Sequence, residues 1–197
     1  MKRLALIVLE VIVLFGALRF YQFYRTSSPT PSDAVNDYII RIKSNSPQKL
    51  ESLEIVSSTE LSSRGNEQLL LFQANDTGLQ SHIAGYATIK KSPLGWYVDR
   101  LQMVGTWPLP ADLMANLDWS GDRRIPVVYG QVFLSGVASV EVVFSDPNQG
   151  DVTISADSPK GIFAVFGTPY SELTTFKILD AKGNVLKQFT REEMENR

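Results

Sequence analysis

The 197-residue chain contains no cysteine. That excludes disulfides, thiolate metal sites and a lipid-modified N-terminal cysteine, so any folded part must rest on its apolar core. Histidine is almost absent as well, His82 being the single one. It alternates with Ile83 in a strand-like run, which predicts a surface or edge-strand position. No nucleophile or carboxylate lies beside it in sequence to make it a general base. The chain also lacks the G-x-S-x-G elbow, S-x-x-K, H-E-x-x-H and glycine-rich phosphate-loop patterns. These absences predict a protein that is not an enzyme and carries no cofactor. Basic patches are missing too: residues 26–111 hold seven basic against eight acidic groups, and residues 112–197 eight against twelve. Neither nucleic acid nor anionic lipid is an expected partner of that acidic surface.

What the sequence does have is a hydrophobic start. Lys2 and Arg3 precede an apolar run from Leu4 to Leu18, broken by Glu10, and Arg19, Tyr21, Tyr24 and Arg25 close it. The strict run covers only about 22 Å as a helix, whereas extension to Tyr24 gives about 31 Å, enough for a bilayer core. The extension requires Arg19 and Gln22 to snorkel beside an interfacial belt of Phe20, Tyr21, Phe23 and Tyr24. A cleaved signal peptide would need small residues ahead of the cut, and Leu14, Phe15 and then Arg19 to Gln22 are bulky. Residues 1–25 are therefore expected to form an uncleaved transmembrane helix. The N-terminus would be cytoplasmic and the remaining chain extracytoplasmic, at the cell membrane. A carboxylate near the centre of such a span costs about 3 kcal/mol, which the surrounding Leu, Ile, Val and Phe offset. Glu10 is thereby a candidate contact to a membrane or envelope protein partner.

Residues 26–32 (TSSPTPS) read as an extended linker. Asp33 or Ser32 can cap a helix whose apolar stripe is Ala34, Val35, Tyr38, Ile39 and Ile42. Ser46-Pro47 predicts a second, short helix through about Leu53, followed by a polar stretch from Ser57 to Gly65. Strand-like runs then occupy 68–74, 82–90 and 95–104, separated by turn clusters. Residues 33–105 are expected to form an α+β domain of one helix on an antiparallel sheet. The prolines at 108 and 110 open a connector, 106–124, with a helical turn near Ala111–Leu117 and with Trp107 and Trp119 wedged between domains. From Ile125 onward short strand-like runs recur every eight to twelve residues, which predicts a β-sandwich domain over 125–190 and a charged tail over 191–197. The expected class is α+β: a transmembrane helix, a helix-plus-sheet domain and an all-β sandwich.

The stretches LLLFQAN and GYATIKKSPLGWYVDRLQM resemble cystatin-like or nuclear-transport-factor-like helix-plus-sheet modules. VVYGQVFLSGVASVEVVFSD, GIFAVFG and FKILDAKGNVL are similar to a C-terminal module of uncharacterised, single-span, membrane-anchored extracytoplasmic proteins of Gram-positive bacteria. The resemblance implies fold and location, and transfers no catalytic residue.

Two readings of function follow. One is a non-catalytic interaction module at the cell envelope. The other is a small-molecule or cell-wall ligand binder with a pocket between the first helix and its sheet. Tyr86, Trp96 and Tyr97 are the candidate ligand or partner contacts, although strands also use such aromatics for their cores. A closed apolar core around Tyr86 and Trp96 favours the first reading, and an open cavity the second. Asp146 to Asp151 places oxygen groups at alternate positions, but the glycine falls one place early and no terminal Glu follows, so a hairpin turn is expected rather than a calcium loop.

Overall fold

A computed structural model describes residues 11, 13–18, 21, 26–43, 50–61, 63, 65–76, 81–106, 112–120 and 124–195. Eleven strands among them form three antiparallel sheets. The outer sheet runs β1 (Leu50–Glu60), β2 (Glu67–Asp76), β3 (Ser81–Ser92), β4 (Gly95–Thr106) in that spatial order. The middle sheet has the order β5 (Leu113–Ser120), β6 (Ile125–Val132), β9 (Ile162–Phe166). The third sheet is ordered β11 (Val185–Thr190), β10 (Glu172–Asp180), β7 (Val137–Asp146), β8 (Gly150–Asp157).

Side-chain alternation along each strand decides how the sheets stack. Helix α1 (Pro31–Lys43) lays Ala34, Val35 and Ile39 on Leu70, Phe72, Ala87, Ile89 and Trp96 of the outer sheet. The opposite face of that sheet, with Leu71, Ala84 and Tyr86, meets Val127, Tyr129, Ile162 and Ala164 of the middle sheet. The neighbouring residues of the same middle strands, Val128, Val132, Phe163 and Val165, point the other way. They pack on Val140, Val142, Phe144, Phe176 and Ile178 of the third sheet. The result is four layers, one helix and three sheets, with three separate cores. It also explains why IPVVYGQV and IFAVF are nearly continuous apolar runs: both faces of the middle sheet are covered.

The expected α+β class is corrected by this architecture. Of the described residues, 63% lie in strands and 19% in helical conformation, and the helices are short. The physical source of the difference is strand pairing that local signals do not show. Leu50–Glu60, read as the end of a helix and a polar stretch, pairs with β2 along most of its length. Leu113–Ser120, read as a helical turn, pairs residue for residue with β6 from Leu113↔Val132 to Ser120↔Ile125. Part of the expected tail is helical. Arg191–Glu195 forms a single helical turn, α2, where Thr190 N donates to Glu193 Oε2 at 2.8 Å and Glu193 N donates back to Thr190 Oγ1 at 3.4 Å, a capping box.

The membrane placement is corrected as well. Among the described residues no helix is long and apolar enough to cross a membrane. The expected single-pass anchor over 1–25, with a cytoplasmic N-terminus and extracytoplasmic domains, therefore loses its support. The strict apolar run was short for a span, and its extension relied on Arg19 and Gln22. Glu10 and Trp107 lie outside the described residues, while Trp119 sits on β5 with a 42% exposed side chain rather than wedged. The linker is tied down: Ser28 and Trp96 exchange backbone hydrogen bonds of 2.7 and 2.8 Å at the start of β4, Ser28 Oγ donates to Asp37 Oδ2 at 2.6 Å, and Ser27 Oγ lies 3.3 Å from Ser92 Oγ.

Candidate functional site

The interface between the outer and middle sheets is an apolar strip with a polar seam along each side. Tyr86 lies at its centre on β3, fully buried, with its ring edge-on to Tyr129 at 5.3 Å and to Phe166 at 5.4 Å. Its hydroxyl has no hydrogen-bond partner among the described residues. Burial pushes the phenol up to about 12, opposed by nearby Arg100. An unpaired buried hydroxyl costs roughly 1–3 kcal/mol. Tyr86→Phe is therefore expected to stabilise the protein by about 1 kcal/mol, raising Tm by about 2–4 °C. The sign with pH follows from the raised value: in wild type, stability falls as pH rises from about 10 toward 12, and in Tyr86→Phe that loss is reduced. Thermal melts of the two proteins at pH 7 and pH 11 check both statements, and a less stable Tyr86→Phe would show that the hydroxyl is bonded in solution.

The first seam joins β4 to β5. Asp118 Oδ2 accepts from Arg100 Nη2 at 3.2 Å and from Gln102 Nε2 at 2.5 Å, and Arg100 also donates to the Trp119 carbonyl. Tyr129, whose phenol is also raised by burial, accepts a hydrogen bond from Asn116 Nδ2 at 3.2 Å.

The second seam holds His82. This residue is not simply at a surface: it lies half-buried on an inner strand and bridges two sheets. Nδ1 is 3.0 Å from Asn75 Oδ1 on β2, and Nε2 is 2.5 Å from Gln131 Oε1 on β6. Gln131 Nε2 in turn donates to the Lys160 carbonyl at 3.1 Å, which turns the amide oxygen toward the ring. Both imidazole nitrogens face amide oxygens, and a neutral ring donates its one N–H to one of them, the tautomer setting which. Lys160 adopts a left-handed backbone (φ 53°) and sends its ammonium group to Glu54. Glu54 also accepts from Gln73 Nε2 at 2.6 Å, and the Lys160 contact, followed by that of Gln73, holds its carboxyl below the usual range. Leu53, Glu54, Gln73, Ala74, Asn75 and His82 line a groove of about 350 Å³ beside this seam.

A second groove, about 360 Å³, runs between β5 and α2 and is lined by Ala115, Asn116, Leu117, Trp119, Leu173, Arg191 and Met194. Arg191 Nη1 donates to Glu172 Oε2 at 2.7 Å on its rim. The sequence offered little to find this groove, since its walls come from segments read as a connector and a tail.

The other sequence candidates fall as follows. Trp96 is buried beneath α1, so neither it nor Tyr86 presents a face to a ligand, and Tyr97 is half-buried on β4. The space between α1 and its sheet is filled by core side chains. Asp146 is the hub of a hairpin turn: Oδ1 accepts from Asn148 N at 2.7 Å and Gln149 N at 3.0 Å, and Oδ2 accepts from Thr168 Oγ1. The Thr168 bond first, then the backbone donors, hold its carboxyl below the usual range. Among the described residues no group of three or more His, Cys, Asp or Glu side chains could hold a metal ion. Comparison of the chain with protein families, curated proteins and solved structures returns no match.

Proposed function

We propose that this protein is a non-catalytic interaction module that holds a protein partner in the groove between β5 and α2. The observation that carries this reading is the distribution of large side chains. Tyr86 and Trp96 lie inside closed cores, while Trp119, Met194 and Arg191 converge on an open groove. Tryptophan and arginine dominate binding hot spots, and Met adapts its shape to irregular apolar partners. The groove accepts one bulky apolar anchor from the partner. The acidic excess of residues 112–197 supports a protein rather than a nucleic acid in that role.

The test compares partner capture by wild type, Trp119→Ala and Lys182→Ala, with Lys182 exposed in the hairpin turn at the opposite end of β10 from the groove. A genuine groove partner is lost by about tenfold or more, or 1.4 kcal/mol, with Trp119→Ala alone. Because Trp119 is 42% exposed, the melting temperature should change little. Equal capture by all three proteins sinks the proposal.

A second reading rests on the groove beside His82, where a carboxylate, two amides and an imidazole converge. Such a lining suits a small neutral molecule rich in hydroxyl groups. Ligand-observed NMR with simple glycosides, repeated on His82→Ala, tests it: binding that ignores the substitution removes this reading.

A further inference from the structure

Three sheets expose six strand edges, and an unprotected edge is a template for another chain. Five of the six are blunted. Two register shifts interrupt β1, between Glu51 and Glu54 and between Ile55 and Ser57. Ser28 occupies the start of β4 through both of its backbone bonds to Trp96. On β5 the N–H groups of Leu113 and Leu117 are taken by Asp112 and Asn116 side chains, and the Trp119 carbonyl by Arg100. Strand β9 has only five residues, and β11 carries a shift next to its hairpin.

Strand β8 differs from all of these. Its eight residues pair with β7 in unbroken register from Ser139↔Asp157 to Asp146↔Gly150. The strand contains no proline, lysine or bulge, and among the described residues no hydrogen bond reaches its outer edge. Thr153 and Ser155 are exposed on one face, while Val152, Ile154 and Ala156 are half-buried on the other. Asp151 and Asp157 share the exposed face at its two ends, and neither has an ion-pair partner among the described residues.

Those two carboxylates decide what the edge can accept. Antiparallel pairing with a second copy, centred on Ile154, would set Asp151 against Asp157 at both ends, and like charges directly opposite are destabilising. An extended segment with basic residues at the same six-residue interval, about 20 Å, would instead meet a carboxylate at each end. We propose that β8 is a docking edge for an extended peptide segment of a partner protein, which adds an antiparallel strand and places Lys or Arg opposite Asp151 and Asp157. Main-chain hydrogen bonds supply the affinity, and the two acidic ends supply the selection. This surface is separate from the β5–α2 groove, so either proposal can fail while the other stands.

The test uses the full chain and two end-blocked heptapeptides, Lys-Val-Thr-Val-Thr-Val-Lys and Glu-Val-Thr-Val-Thr-Val-Glu. The lysine peptide is expected to bind at least tenfold more tightly and to protect β8 backbone amides from hydrogen exchange. A double variant, Asp151→Lys with Asp157→Lys, should reverse the preference, and its binding of the glutamate peptide shows that the variant is folded. Equal binding of both peptides to wild type overturns the proposal. So does an absence of β8 protection, a double variant that binds neither peptide, or self-association of wild type through β8.

Discussion

Gly130→Ala is expected to cost more than about 3 kcal/mol, the largest loss foreseen for a single methyl group in this protein. Gly130 lies in β6, the central strand of the middle sheet, between Ala115 on β5 and Phe163 on β9. A Cβ built there falls 2.0 Å from the Met114 carbonyl oxygen and 2.7 Å from the Ala115 Cα. Both obstacles are backbone, so no side-chain rotation can relieve the collision. The residue also sits at φ 156°, a conformation that L side chains rarely adopt. Relief requires β5 to move away from β6, which would open the cores on both faces of the middle sheet. At about 2–4 °C per kcal/mol for a chain of this size, Tm should fall by about 6–12 °C or more. Gly136→Ala is the control: that position also has a positive φ (81°), but nothing lies within 4 Å of its Cβ. A Gly130→Ala melt no lower than that of Gly136→Ala would show that the sheet packing described above is wrong.

Phe163→Ala is expected to cost about 3–5 kcal/mol. Phe163 is fully buried between the middle and third sheets, with its ring 5.1 Å from that of Phe176, which continues to Phe189 at 6.3 Å. Truncation removes the contacts of a large ring and leaves a void between two hydrogen-bonded sheets that relax only partly around it. It is also the residue directly opposite Gly130, so ring and glycine share one site in the sheet. The two substitutions should be non-additive, because they disturb the same strand, β6, from its β5 side and from its β9 side at one paired position. Chemical denaturation of both single variants and the double variant measures this coupling. Additivity within about 0.5 kcal/mol would mean that the two residues do not share a site.

Much of this β architecture was legible, from turn clusters that bound the runs of β2 to β4 and from alternation in strands such as β8, whose outer face is wet. The runs 68–74, 82–90 and 95–104 correspond to β2, β3 and β4, and the short runs recurring after Ile125 include β7 and β8. Helix α1 was legible from Ala34, Val35 and Ile39 at helical spacing, and all three are buried. Strands β1 and β5 were not, since LESLEIVSSTE and LMANLDWS carry few apolar residues and draw their strand state from β2 and β6. The candidate sites were less legible still. Tyr86 and Trp96 were candidate contacts in residue types that strands also use for cores, and stacking against the middle sheet and α1 buries both. His82 had no chemical neighbour in sequence, while its partner Gln131 lies 49 positions away.

By itself the sequence determined that there are no disulfides or thiolate ligands, that short alternating strands dominate the second half, and that no familiar catalytic motif occurs. These are properties of composition and of neighbours within a few residues, where local chemistry suffices. Tertiary structure alone decided that the outer sheet stacks on the sandwich, that β1 and β5 are strands, and that Trp119 and Met194 face one groove. It also decided which strand edge stays open, because an edge is defined by the partner it lacks. Each of those outcomes depends on residues far apart in the chain meeting across a sheet, and no local pattern encodes which distant partner a strand will find.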